Sequence, residues 1–160
     1  MILGDSDTLD LATILIPPNI QEELRQNGKQ FFRYHRTRNA TEGDWVFALG
    51  WPGVLREDEY NKRRVNTYLV AIQGIVMDAT DRKLIVGLSR EDWEKRMGLR
   101  EMKELTAFGG MSGGPIFMFN DGVIHLVGVI FRDLGMGLMG EGLQCVHALF
   151  IQADGSIEQV

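Results

Sequence analysis

The sequence predicts an all-β protein built around a small closed or nearly closed barrel. Nineteen of the 160 residues are glycine, and short apolar segments repeatedly end at a glycine, a proline or a short polar turn. Such segments, rich in β-branched and aromatic residues, are typical of barrels and less typical of helical bundles. The pattern gives about six or seven barrel strands, which fits a small barrel, together with one or two short helices.

Residues 1–30 are expected to form one strand and a linker. Residues 9–16 (LDLATILI) are a short apolar run that Pro17 and Pro18 stop, because proline fixes its own backbone and lacks an N–H. Residues 19–27 are polar, and Gly28 follows where a helix commonly ends. A short linker helix is therefore predicted before the barrel, which would occupy residues 31–160.

Further segments carry strand signals and would supply the barrel. They are residues 31–38, 45–49, 66–77, 83–88, 116–119, 123–131 and 144–151. Asn120-Asp121-Gly122 is a strong hairpin signal between two of these segments, and residues 78–82 would form another turn. Gly74 indicates a bulge or bend inside its strand, and residues 135–142 are predicted to be a glycine- and methionine-rich loop.

One helix is predicted among the strands, over residues 90–104. Ser89 is a suitable N-cap, because its hydroxyl can accept a hydrogen bond from an N–H of the first turn. Charged residues dominate the segment. Gly98 lowers the helix propensity in the middle, so a shorter helix followed by a loop is the alternative.

Composition and charge exclude several functional classes. The formal net charge of −5 disfavours general nucleic-acid binding, which usually needs a basic surface. No apolar run approaches the roughly 20 residues that span a bilayer, and no signal peptide is recognisable. The single cysteine, Cys145, cannot form an internal disulfide, which favours a reducing compartment. We therefore expect a cytoplasmic protein without nucleic-acid or membrane partners.

The motif that carries chemistry is Gly110-Met111-Ser112-Gly113-Gly114-Pro115. Glycines on both sides of a serine permit a tight turn that exposes the hydroxyl and directs backbone N–H groups to one point. Serine is a weak nucleophile unless a neighbouring base takes its proton. The motif therefore indicates acyl transfer, with an ordinary hydroxyl in a glycine-rich turn as the alternative.

This motif resembles the nucleophile motif of the chymotrypsin/trypsin-like serine peptidases, in their bacterial form. Residues 10–15 (DLATIL) resemble the segment that begins with the triad aspartate and continues as the last strand of the N-terminal barrel. Residues 43–53 resemble an early hairpin of the C-terminal barrel, and residues 126–130 resemble the strand that leads to the substrate-binding edge. The resemblance implies a C-terminal barrel preceded by one strand left over from the N-terminal barrel.

The resemblance also implies roles for the residues around the motif. Ser112 would be the nucleophile, and the N–H groups of Gly110 and Ser112 would form the oxyanion hole. Asp10 would be the acid that orients a histidine. Met111 departs from the acidic or amide residue common at its position, so a polar side chain that could hold the loop is missing.

Two groups of residues would contact substrate by the same resemblance. Thr106 and Ala107 would lie near the primary specificity pocket. Phe131, Arg132 and Asp133 would form the strand edge that pairs with an extended substrate. The alternative for these three residues is an ordinary exposed strand end.

The catalytic histidine of the family has no counterpart where the family keeps it. It precedes the aspartate in the chain, yet no residue before Asp10 is a histidine. His35 is expected on a solvated strand, and the alternative is that it replaces the missing base. His125 is expected to be packed and hydrogen-bonded. His147 matches no catalytic residue of the family. The histidines and Cys145 are too dispersed for a zinc site, and no cofactor or metal is expected.

Three functional hypotheses remain. The first is a trypsin-like serine endopeptidase domain that forms an acyl-enzyme when complete but is inactive as the isolated chain. The second is a pseudo-peptidase that binds an extended peptide or a protein partner, with a homodimer covering the apolar surface left by the absent barrel. The third is an enzyme completed in trans by a partner chain that donates a histidine.

Overall fold

The computed structural model describes residues 2–31, 38–59, 64–66, 69–88, 108–137 and 140–158. The described part contains one α-helix, α1 (Pro18–Gln26), and two 3₁₀ turns, Gly53–Leu55 and Ala148–Phe150. Its strands are β1 (Ile2–Ser6), β2 (Leu11–Ile14), β3 (Trp45–Gly50), β4 (Glu57–Glu59), β5 (Arg64–Asn66), β6 (Val70–Ala79), β7 (Lys83–Leu88), β8 (Pro115–Asn120), β9 (Val123–Gly137) and β10 (Gly140–His147).

Six antiparallel strands close into a barrel in the order β10-β7-β6-β3-β8-β9, and β9 pairs with β10 to complete it. The remaining strands form two separate hairpins, β1–β2 and β4–β5. The prediction of an all-β protein with a small closed barrel is therefore confirmed. Closure gives each barrel strand a neighbour on both sides, which limits the exposed sheet edges that otherwise promote aggregation.

Alternate side chains of the strands fill the barrel. In β3 the buried Val46 and Ala48 alternate with the exposed Trp45 and Phe47. This is the period of two that a strand with one buried face requires. β7 and β8 repeat the pattern, with buried Leu84, Val86 and Leu88 in the first and buried Ile116 and Met118 in the second.

The N-terminal residues form a hairpin rather than the single strand predicted over residues 9–16. β1 and β2 pair from Ile2↔Ile14 to Ser6↔Leu11. The earlier strand was missed because residues 2–6 (ILGDS) lack a regular apolar alternation. An isolated two-stranded hairpin is marginally stable, so contacts with the barrel must hold this one.

Those contacts are apolar and polar. Leu9 and Leu11 are buried in a cluster with Val146, Phe150 and Ile157, which lie at the end of β10 and beyond it. The Thr13 hydroxyl donates a hydrogen bond to the carbonyl oxygen of Gly155. The hairpin is thus attached to the C-terminal end of the barrel chain.

Two local predictions are confirmed in detail. α1 spans Pro18–Gln26, and the Gly28 N–H donates to the Arg25 carbonyl oxygen at 2.9 Å just past its end. Asp121 and Gly122 have φ angles of 50° and 77° and connect β8 to β9. Positive φ at both central positions matches a type I′ hairpin turn, which suits the twist of the flanking strands.

Three predicted segments differ from the structure. The strand expected over residues 66–77 is split, because β5 pairs with the polar strand β4 and β6 begins at Val70. The loop expected over residues 135–142 belongs largely to strands, since β9 extends to Gly137 and β10 begins at Gly140. The last predicted strand ends at His147, where a 3₁₀ turn follows.

Other predictions lie outside the described residues. They are the helix over residues 90–104 with its cap Ser89, most of the strand over residues 31–38 with His35, and the pocket residues Thr106 and Ala107.

Gly74 lies where strands β6 and β7 approach closely, whereas the sequence predicted a bulge or bend there. It pairs in regular register with Val46 on β3 and Leu88 on β7, and the register shift of β6 lies later, between Val76 and Asp78. A Cβ at Gly74 would lie 2.7 Å from the Gly87 carbonyl oxygen and 2.7 Å from Val86 Cγ1. The position therefore excludes any side chain.

Replacement of Gly74 by alanine should destabilise the barrel. Relief of these contacts requires strands β6 and β7 to separate locally, and overpacking of this kind costs about 1–3 kcal/mol. Chemical denaturation of the Gly74→Ala variant measures the cost. Gly109→Ala is the control, because a Cβ there meets nothing within 4 Å and the φ of Gly109 is not positive. Equal stabilities of the two variants would contradict the argument.

Candidate functional site

The candidate site is built on the Ser112 loop, which we define as residues 108–114 and which leads directly into β8. The loop folds as two successive turns. The Met111 N–H donates to the Phe108 carbonyl oxygen at 3.1 Å, and the Gly114 N–H donates to the Met111 carbonyl oxygen at 2.9 Å. Gly110 and Gly113 have φ angles of 94° and 83°, a region that favours glycine. The glycines of the motif therefore serve the turn that the sequence predicted.

Met111 takes the place of a polar side chain that could have held the loop, and it holds the loop by packing instead. Its side chain is only 1% exposed and belongs to the barrel core. A Cβ at Gly50 would lie 2.9 Å from both Cγ and Cε of Met111, so the end of β3 leaves room for this side chain by having none of its own. The buried Met111 side chain thus fixes the loop to the barrel core.

The loop also contacts the chain that follows β3. The Gly53 N–H donates to the Gly109 carbonyl oxygen at 2.7 Å, and a Cβ at Gly110 would lie 2.8 Å from the Gly53 nitrogen. A Cβ at Gly114 would collide with the Leu49 carbonyl oxygen. Backbone packs directly on backbone here, which leaves the loop little freedom to collapse.

Ser112 lies exposed at the outer surface of this loop. Within the described part of the chain, neither the Gly110 N–H nor the Ser112 N–H donates a hydrogen bond, and the Ser112 hydroxyl makes none. The intervening Met111 N–H is instead used inside the turn. The two N–H groups that the resemblance assigns to an oxyanion hole are therefore left for another acceptor.

An open strand edge begins beside Ser112. The Gly113 N–H donates to the Ile130 carbonyl oxygen, and the Ile130 N–H donates to the Gly114 carbonyl oxygen, both at 2.8 Å. Among the described residues of β9, Ile130 is therefore the last whose backbone bonds to β8 or to the loop that leads into it. Residues 131–133, which we call the β9 edge, continue to pair with β10 through Arg132↔Gln144 and Asp133↔Leu143. On their other side no described strand pairs with them.

Asp133 connects the β9 edge to the Ser112 loop. Its Oδ2 accepts a hydrogen bond from the Phe108 N–H at 2.9 Å, and its Oδ1 accepts one from the Gly135 N–H at 2.7 Å. Phe108 in turn supplies the carbonyl oxygen that holds Met111. A chain of hydrogen bonds thus runs from β9 to the residue before Ser112.

Arg132 and Phe131 carry the electrostatics of the edge. Arg132 is exposed, and its Nε–H donates to Oε1 of the buried Gln144 at 2.7 Å. The guanidinium carbon lies 5.7 Å from the centre of the Phe131 ring, and Lys83 Nζ lies 5.9 Å from the same point. Two cations therefore border one aromatic ring beside the open edge, a geometry that cation–π attraction favours.

Asp10 is not brought into contact with the site. It lies in the β1–β2 turn with a φ of 51°, and its side chain is exposed. Its carboxylate has no hydrogen bond or ion pair with any residue of the described ranges. Its neighbours Leu9 and Leu11 pack in the cluster that Phe131 flanks, but no contact joins Asp10 to Ser112.

Neither described histidine serves Ser112. His125 pairs with Met118 and precedes Ile130 by five residues, roughly 16 Å at the rise of a strand. His147 is 3% exposed, and its Nε2 lies 2.8 Å from the Thr80 carbonyl oxygen. The Nδ1 atoms of both rings are buried and have no hydrogen-bond partner. The expected packing of His125 is thus found without the expected hydrogen bond.

Cys145 and the other described residues that could bind a metal do not form a metal site. Cys145 is fully buried in the core, and desolvation raises the pKa of its thiol to about 12. The thiol therefore stays protonated and unreactive at neutral pH. Within the described ranges, no group of three or more histidine, cysteine or acidic side chains is close enough together to hold a metal ion.

None of the helices in the described part has the length and apolar character needed to cross a membrane.

Three residues of the site escaped the sequence analysis. Gly50 and Gly53 fell only within the segment that resembles a hairpin, although Gly50 leaves room for Met111 and the Gly53 N–H donates to the Gly109 carbonyl oxygen. Gln144 was assigned only to a strand. A single amide among the apolar residues of β10 was a signal that a buried polar partner would be needed.

No protein-family model and no curated protein sequence matches this chain. Membership of the trypsin-like peptidases therefore stays a prediction that rests on the residues of the motif and their order.

Removal of the Asp133 carboxylate should loosen the Ser112 loop. Asp133→Ala leaves the N–H groups of Phe108 and Gly135 without their acceptor. The exposed Gly135 N–H can turn to water, whereas the loss of a partner for the partly buried Phe108 N–H costs about 1–3 kcal/mol. Asp133→Asn keeps one acceptor oxygen and should cost less. Equilibrium unfolding gives the stability, and amide hydrogen exchange at Met111 and Gly114 reports on the loop.

Asp81→Ala is the control for the loss of a surface carboxylate, because Asp81 is exposed in the β6–β7 turn. Wild-type stability and exchange in Asp133→Ala would show that the carboxylate does not hold the loop.

Proposed function

We propose that this protein is a serine-peptidase-like domain that binds an extended peptide along the β9 edge. The observation that carries the proposal is the placement, side by side, of an exposed serine, two N–H groups with no described acceptor, and a strand edge that no described strand pairs with. An extended peptide would add to the β9 edge by backbone hydrogen bonds. One of its carbonyl oxygens would then accept from the N–H groups of Gly110 and Ser112.

The chemistry proposed for the isolated chain stops at binding. Attack by Ser112 requires a base that removes its proton. The two described histidines lie elsewhere, His125 on β9 opposite Met118 and His147 with its Nε2 at 2.8 Å from the Thr80 carbonyl oxygen. The Asp10 carboxylate, whose role would be to orient an imidazole, has none to orient in the described part. With a base in place, the same serine would attack the peptide carbonyl while the base takes its proton, and the N–H pair would stabilise the negative charge on oxygen. The peptide C–N bond would then break, and the amine would leave with that proton to give the acyl-enzyme.

A fluorophosphonate probe tests this proposal, because it labels serines whose hydroxyl is activated. We expect no labelling of Ser112 in the isolated chain, measured by mass spectrometry of the intact protein beside an active serine hydrolase as positive control. The Ser112→Ala variant defines background. Stoichiometric labelling of wild type but not of Ser112→Ala would overturn the proposed inactivity. Labelling only after a second protein is added would support completion in trans.

The outer face of the β1–β2 hairpin supports the further proposal of a homodimer. Ile2 and Ile14 are direct cross-strand partners, yet they are 64% and 70% exposed. Leu15 and Ile16, which follow β2, are also exposed. A second copy of the chain would remove this apolar surface from water.

Size-exclusion chromatography with light scattering checks the dimer. We expect wild type to elute as a dimer, and the variant with both Ile2→Thr and Ile14→Thr to shift toward monomer, because the apolar contact area is lost. Ile124→Thr is the control, since Ile124 is 50% exposed and lies on the β8–β9 hairpin, which belongs to a different sheet. A wild-type monomer at every concentration would count against the dimer.

A further inference from the structure

We propose that Arg132 determines specificity at the β9 edge by binding a carboxylate of the docked peptide, so that the ligand is an extended peptide with an acidic side chain. This inference rests on the peptide binding proposed above. It names the chemical class of the ligand, which that proposal leaves open.

The position of Arg132 places its side chain beside any peptide on the β9 edge. It is the central residue of the edge and is exposed. A strand that adds to a sheet brings its side chains within about 4.5–5.5 Å of those directly opposite. An acidic side chain of the added strand would therefore come within reach of the guanidinium.

The Arg132 side chain is held in place before any ligand arrives. Its Nε–H donates to Gln144 Oε1 at 2.7 Å, and Gln144 is only 5% exposed. Its guanidinium carbon also lies 5.7 Å from the centre of the Phe131 ring. A long side chain that is already ordered loses less conformational entropy on binding. The buried amide of Gln144, which would be costly without a partner, thus serves to hold Arg132.

Most of the donors of this guanidinium are uncommitted. An arginine side chain has five N–H donors, and the bond to Gln144 uses only the one on Nε. The donors on the two terminal nitrogens have no acceptor among the described residues. These nitrogens can bind the two oxygens of a carboxylate in the paired geometry that arginine favours.

The surrounding charges favour an anionic ligand at this point. Asp133 is the adjacent carboxylate, but its two oxygens accept from Phe108 and Gly135 and are committed to the loop. Lys83 Nζ lies 5.9 Å from the centre of the Phe131 ring and adds a second positive charge. Arg132 and Lys83 thus outweigh the single negative charge of Asp133 beside the Phe131 ring, in a chain whose formal net charge is −5.

The test compares two sets of short, blocked, fluorescein-labelled peptides of alternating threonine and valine. In one set a single glutamate is placed at each position in turn, and in the other a glutamine replaces it. Fluorescence anisotropy gives the affinities. We expect glutamate to be preferred at one position by about fivefold at low salt, which is the upper range for an exposed ion pair. The preference should shrink between about 0.1 M and about 1 M salt, where the Debye length falls from about 10 Å to about 3 Å.

Two variants isolate the guanidinium. Arg132→Gln should bind the glutamate and glutamine peptides with equal affinity, because the guanidinium that distinguishes them is gone. Arg132→Lys keeps the charge without the planar fork or the bond to Gln144, and should lose most of the preference. Arg25→Gln on α1 is the matched control and should leave the preference unchanged. Thermal unfolding checks that each variant is folded.

The outcomes separate the two proposals. Binding of peptides with equal affinity for the glutamate and glutamine sets would overturn the role of Arg132 and leave the proposed peptide binding standing. A full preference in folded Arg132→Gln would also overturn it. Absence of binding by every peptide would overturn the proposed function and this inference together.

Discussion

Direct contact between the Ser112 loop and the end of β3 is the constraint on which the site depends. The barrel brings the two segments so close that Gly50, Gly110 and Gly114 have no room for a Cβ. Met111 enters the core through the space above Gly50, and the Gly53 N–H closes the contact on the other side. Because packed interiors resist displacement, the position of Ser112 is set by the barrel and not by the loop alone.

The second support of the site is polar and comes from β9. Asp133 holds Phe108, and Ile130 exchanges two backbone hydrogen bonds with Gly113 and Gly114. The loop is therefore fixed to β3 by packing and to β9 by hydrogen bonds. This division matters because Met111 supplies no polar contact of its own. The strands β3 and β9 hold the Ser112 loop in place, a role that a polar side chain within the motif could have filled.

Binding and chemistry are physically separable in such an arrangement. In the proposed function, the N–H groups of Gly110 and Ser112 would hold a peptide carbonyl beside the β9 edge without any proton transfer. Proton transfer needs a base within hydrogen-bond reach of the serine. His125 lies opposite Met118, and the Nε2 of His147 lies 2.8 Å from the Thr80 carbonyl oxygen. The proposed preference for an acidic peptide likewise needs only Arg132, Gln144 and their fixed geometry.

The sequence by itself determined the features that depend on neighbouring residues. Short apolar segments bounded by glycine, proline or polar turns predicted β3, β7 and β8. The Asp121-Gly122 turn predicted the hairpin after β8, and the glycines of the motif predicted an exposed Ser112. Tertiary structure alone decided the rest. The pairing of β4 with β5, the reach of Asp133 to Phe108, and the bond from Arg132 to Gln144 join residues whose local sequence carries no trace of the partner. Such contacts depend on how strands pair and, for Asp133 and Phe108, on how the loop before β8 lies against β9, so they are decided only when the chain folds.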